Sequence, residues 1–178
     1  MATIQGRNGV VVKVDSDGRM ETLSVAQHED KHAADEGRVW SVFFTVTPTG
    51  ANDYFFYVKN NGLKDIHLTD IRISSTVATQ IFYRYVTGTA SAGTDSEITN
   101  RFLGNSAVPD AIVQHDADFT GLTSAGVLFF QECDTVDRLF HMKTTSNIII
   151  PQGQAIAFQR VEATGLLNCM VSLIEVES

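Results

Sequence analysis

Proline, cysteine and basic residues are scarce in this chain of 178 residues, and each scarcity excludes something. With 3 prolines and 43% hydrophobic residues, the chain has the material for a packed core and does not have the composition of a disordered segment. The length suits one domain, or one domain with an appendage. Its 2 cysteines, Cys133 and Cys169, lie far apart in strand-like apolar runs. They exclude a disulfide scaffold and are expected as buried free thiols, in keeping with synthesis in a reducing cytoplasm. The 13 Lys and Arg are scattered among 21 Asp and Glu for a net charge of −8. No basic stripe remains to track a phosphate backbone, so direct nucleic-acid binding is not expected. No run approaches the roughly 20 apolar residues of a membrane span, so no membrane partner is expected. The opening MATIQGRNG has no apolar h-region and is not expected to act as a signal peptide.

What the chain does have is strand-forming sequence punctuated by turns. GVVVKV (9–14), DSDG (15–18) and RMETLSV (19–25) predict a β-hairpin, with Asp17-Gly18 as the positive-φ residues of a two-residue loop. Residues 26–37, AQHEDKHAADEG, are polar and close on Gly37, as a short helix or an acidic loop would. From Arg38 the pattern is dense: RVWSVFFTVT (38–47), NDYFFYVKN (52–60), DIHLTDIRIS (65–74) and TQIFYRYVTG (79–88). Each is rich in β-branched or aromatic residues and is followed by turn residues. A phase slip between Leu68 and Ile71 predicts a bulge. Residues 89–111 are small and polar and predict a long surface excursion, of the kind that usually carries function. Strands resume at IVQHDADF, GVLFFQEC, RLFHMKT, NIII, QAIAFQRV and LLNCMVSLIEV. About ten to twelve short strands without an amphipathic helix predict an all-β fold, two antiparallel sheets packed face to face. The predicted layout is a hairpin arm and polar linker over 1–37 and a β-sandwich over 38–178. No repeat of fixed period supports a propeller or solenoid.

Candidate chemistry is thin. His28-Glu29-Asp30-Lys31-His32 matches H-E-x-x-H, a spacing that sets two imidazoles on one helix face around zinc. Here the intervening residues are charged, and Asp35 and Arg38 stand where the extended pattern needs Gly and His. A solvated polar segment is the expected reading, with a zinc-dependent enzyme using His28, Glu29 and His32 as the rival. DSDG resembles the start of a calcium loop, but Lys13 and Ser24 fall at the first and twelfth ligand positions. His115, Asp116 and Asp118 lie close in sequence, and His67 and His141 stand singly in strands; exposed strand ends or packing residues are expected. There is no G-x-S-x-G elbow and no Gly-rich phosphate loop. In NIIIPQGQAIAFQ (147–159), Pro151 and Gly153 match the turn of the second cupin motif. Thr145 replaces its first Gly, Ile156 its His and Arg160 its Asn, while the nearest candidate for an upstream H-x-H reads His141-Met142-Lys143. The turn is present and the metal ligands are not. No cofactor and no enzymatic activity are expected.

The order of segments is "VVVKVDSDGRMETLSV", "EGRVWSVFFTVTPT", "YFFYVKNNGLKDIHLTDIRIS", "NRFLGNSAVPDA" and "IIIPQGQAIAFQRVEATGLLNCMVSLIEVE". In that order the chain resembles jelly-roll virion structural proteins of tailed bacteriophages, most of all capsid decoration (cement) proteins. The resemblance covers most of the chain and rests on turn residues and strand order. It implies a jelly roll on the capsid exterior that caps capsomer junctions, often as a trimer, through an N-terminal arm. The implied partners are the major capsid protein and copies of itself, with Val10, Val11, Val12, Val14, Met20 and Leu23 as arm contacts. A phage tail or receptor-binding module reading glycans with exposed aromatics such as Tyr54, Tyr83 or Tyr85 is the first rival. A cupin-like or zinc-dependent enzyme is the second.

Overall fold

A computed structural model of the chain describes the strands Thr3–Gln5, Val11–Val14 and Met20–Leu23 as backbone, and residues 36–133, 136, 139–162 and 165–176. Within 142–147 only the backbone is described. The chain divides into two compact units, Met1–His32 and Ala33–Ser178. No helix occurs among the described residues.

The first unit holds β1 (Thr3–Gln5), β2 (Val11–Val14) and β3 (Met20–Leu23), antiparallel in the order β1-β2-β3. The hairpin therefore exists, with an unforeseen third strand. Its register departs from expectation. Val14 pairs with Met20, whereas a two-residue Asp17-Gly18 loop would set Val14 opposite Glu21. Of the expected arm contacts, Val11, Val12 and Val14 lie on β2 and Met20 and Leu23 on β3. Val10 and the whole HEDKH segment fall outside the described residues.

In the second unit, β4 (Val39–Val46), β6 (Asp65–Ser75), β12 (Phe140–Ile150) and β14 (Leu167–Val176) join β9 (Glu97–Asn100) in a five-stranded sheet, order β12-β6-β14-β4-β9. A six-stranded sheet contains β5 (Tyr54–Asn60), β7 (Thr79–Gly88), β8 (Thr94–Asp95), β10 (Ala111–His115), β11 (Leu122–Cys133) and β13 (Ala155–Arg160), order β11-β7-β13-β5-β10-β8. All pairings are antiparallel, and the two sheets pack as a sandwich. Alternation decides which side chains enter it. In β4, Trp40, Val42, Phe44 and Val46 are buried, while Phe43 and Thr45 are exposed. They meet Phe56, Val58, Ile81, Tyr83, Ile156 and Phe158 from the facing sheet, where Phe158 stands edge-on to Phe56 and Tyr83. Cys133 and Cys169 are buried free thiols in this core, as expected.

Two expectations need correction. Residues 89–111 are not one open loop: β8 and β9 arise within them and extend the edges of both sheets. Phe119 and Ala90 then pack with Tyr57, Val86, Ala155 and Ala157 in a second, smaller cluster, which explains why β13 is buried on both faces. RLFHMKT and NIII form one strand, β12, whose pairing with β6 breaks between Lys143 and Ile148. The bulge expected between Leu68 and Ile71 is present, where the β14 register slips from Asp70 to Leu68.

Candidate interaction surface

Among the described residues, the interior contains no ligand constellation at the positions where a cupin would place one. Ile156 is buried in apolar contacts. Arg160 is fully buried and donates from Nη1 to the Gly165 carbonyl (2.6 Å) and from Nε to Thr79 Oγ1 (3.3 Å), tying down the connection into β14. Pro151-Gln152-Gly153-Gln154 forms the turn read from sequence: Gln154 N donates to Pro151 O (3.1 Å), and Gly153 has φ 75°. That turn carries the chain from the five-stranded to the six-stranded sheet, so it is a sandwich corner instead of a hairpin within one sheet. Asn60 locks it, donating from Nδ2 to Ile150 O and Lys64 O (both 2.8 Å) and accepting from Gly62 N (2.9 Å).

The scattered histidines and acids stay separate. His115 stacks on Phe44 (centroids 5.2 Å apart), and its Nδ1 lies 3.0 Å from Ser96 Oγ. Burial lowers its pKa, against a smaller opposing pull from Asp116. Burial, then the carboxylates of Asp53 and Asp116, raises that of Asp118. His141 Nε2 pairs with Asp70 Oδ1 at 2.7 Å, and His67 is buried in its strand. No group of three or more His, Cys, Asp or Glu able to hold a metal ion occurs among the described residues.

The tyrosines named for glycan reading do not form an exposed platform. Tyr83 is fully buried, with its hydroxyl 2.9 Å from Gln131 Oε1. Tyr54 is half-buried against the smaller cluster. Tyr85 is half-buried too and donates from its hydroxyl to Gln154 (2.6 Å). Strand alternation set Tyr83 and Tyr85 on the same face as Ile81, and that face is the core side.

Exposed apolar side chains gather elsewhere. One group is the 101–108 loop after β9, where Phe102 (51% exposed), Leu103 (90%) and Val108 (69%) point to solvent. This loop is heavily pinned. Asn100 donates to Gly37 O (2.7 Å) and Ala107 O (3.1 Å) and accepts from Phe102 N (2.9 Å). Ala107 N donates to Asn105 Oδ1 (2.8 Å), Trp40 Nε1 donates to Ala107 O (2.8 Å), and Arg101 reaches Ser41 and Ser172 (2.8 and 2.5 Å). Gly104, with φ 89°, allows the tip to turn. A tight apolar prong results.

The other group runs along the opposite flank, where β11 and β12 are the outer strands of their sheets. Val127, Leu128 and Phe130 on β11 and Ile149 on β12 are exposed. Between the two strands opens a groove of about 110 Å³ lined by Tyr85, Leu128, Ile148, Ile149, Ile150 and Ala155, among others, with no charged side chain among the described residues of its wall. Sequence reading missed both groups. The signal was present in the Phe102-Leu103 pair, two large apolar residues inside an otherwise polar stretch. No family model, curated protein or solved structure matches this chain, so its surfaces and topology carry the functional reading.

Proposed function

We propose that the second unit is a jelly roll and that the protein is a structural, homo-oligomeric virion protein of a tailed phage that decorates the capsid exterior. The observation carrying the first part is strand order. Setting β8–β10 aside as an insertion, the eight principal strands fall into β12-β6-β14-β4 and β11-β7-β13-β5. The first of the eight pairs with the last, the second with the seventh, the third with the sixth and eighth, and the fourth with the fifth and seventh. This nested pairing supports the reading as a jelly roll built of two Greek keys. Jelly rolls serve as capsid, lectin and cupin domains, so topology alone leaves the chemistry open.

Three features favour the structural reading. Apolar side chains fill the sandwich interior, and the cupin ligand positions hold Ile156 and Arg160. The tyrosines that would read a glycan are buried or half-buried. Exposed apolar residues instead sit on a pinned loop and along two outer strands, which suits protein–protein contact. In this reading the β1–β3 unit is the arm that engages the capsid, and the acidic surface keeps the protein soluble at high local concentration.

Immunogold labelling of intact virions of the encoding phage tests it. Gold over the capsid supports decoration, gold confined to the tail supports the receptor-binding rival, and unlabelled virions contradict both. Deleting residues 1–25 should abolish recovery of the protein with sedimented capsids; unchanged recovery would remove the arm from the account.

A further inference from the structure

We infer that copies of this chain join head to tail, the Phe102-Leu103 prong of one seated in the β11/β12 groove of the next, to close a ring. The placement follows from register. Asn100, which leads into the prong, pairs with Trp40 near the start of β4. β14 ends beside the start of β6, with Val176 opposite Asp65, and β12 ends there too, with Ile150 opposite Ile66. Prong and groove therefore lie at the same end of the sandwich. They lie on opposite flanks, since β9 and β12 are the two edges of the five-stranded sheet. At about 4.8 Å per strand spacing, the edges are about 19 Å apart, so no chain can fill its own groove. Complementary patches on opposite flanks define a heterologous interface, which closes into a ring when the rotation allows.

Size and chemistry match. Engineered apolar cavities of about 150 Å³ accept a benzene ring, so the groove, at about 110 Å³, is of a size for one branched aliphatic side chain such as Leu103. The described residues of its wall carry no charge, so none of them is an ion to be desolvated as the prong enters. A larger depression of about 210 Å³ on the outer face of the five-stranded sheet fits less well, because Arg72, Ser74 and Asn168 line it. Self-pairing of β11 about a two-fold axis is also disfavoured. Its register against β7 shifts between Ser124 and Gly126 and again between Val127 and Phe129, and bulges blunt an edge against strand addition.

Cysteine cross-linking decides the contact. Leu103→Cys and Ile149→Cys in one chain should give, under mild oxidation, a covalent ring, while either single variant stays monomeric on a denaturing gel. Covalent dimers from a single variant would mean like-to-like pairing and overturn the inference, as would failure of the double variant to cross-link. Leu103→Asp, at a site already in water, should raise the midpoint concentration for assembly about 30-fold, the scale of a hot-spot residue. An unchanged midpoint would overturn the seating of Leu103. A ring size of three is taken from the virion reading; a covalent ring of another size would keep the contact and remove the trimer.

Discussion

Asn60 shows how much a single polar side chain can hold at a corner. In sequence it closes a strand before a turn; in the fold it is fully buried, donates to Lys64 O just before β6 and to Ile150 O at the end of β12, and accepts from Gly62 N in its own turn. Removing it strands two carbonyls and an amide, so Asn60→Ala should lower unfolding free energy by about 3 kcal/mol, read by denaturant titration. A loss under about 1 kcal/mol would mean water replaces it. His115 contributes to the pH response. Burial lowers its folded value below the ordinary 6.5. Between those two values the unfolded chain binds more protons, so stability rises with pH through the window and is lost on acidification below about 6.5. Tm should fall between about pH 7.5 and about pH 5.5 by more in the native chain than in His115→Gln; equal falls would remove His115 as the cause. Neither role was legible in sequence, because both depend on partners from distant strands: Ile150 for Asn60, and Phe44 and Ser96 for His115.

At the level of elements, alternation made β4, β6, β7 and β13 readable, while apolar, β-branched and aromatic runs marked β5 and β14, because all of them pack into a continuous core. The bulge in β6 was readable for the same reason, as a slip in that phase. What failed were elements whose hydrogen bonds are made to an edge. β8 and β9 are short and polar, and their strand character comes from pairing with β10 and β4 instead of from side-chain burial. The β7–β11 junction depends on backbone approach. A Cβ on Gly88 (φ 96°) would lie 2.4 Å from Gly121 O, and one on Gly121 (φ 80°) 2.3 Å from Thr89 O. Gly88→Ala should therefore cost about 2–4 kcal/mol, combining left-handed strain with a backbone clash. Gly126, on the same β11 and with open space where a Cβ would stand, should accept Ala within about 0.5 kcal/mol. Thermal melts of the two variants check this, and similar losses in both would contradict the account of the junction.

For the whole molecule, the succession of strands and turns pointed to a β-sandwich, and composition to a packed core and buried free thiols; the structure has all three. The surface was far less legible, because exposure depends on which flank of which sheet a residue reaches. The Phe102-Leu103 pair is visible in sequence, but that it is held outward follows only from Asn100, Trp40 and Arg101, which fix its loop to the sandwich edge. On the proposed reading the protein acts through its surfaces, and self-assembly is what that reading most depends on. Native mass spectrometry of the untagged chain tests it most directly, because one spectrum reports both copy number and bound metal. A metal-free closed trimer of 19.5-kDa chains is expected. A monomer carrying one stoichiometric zinc would contradict it and make His28, Glu29 and His32 the residues to pursue.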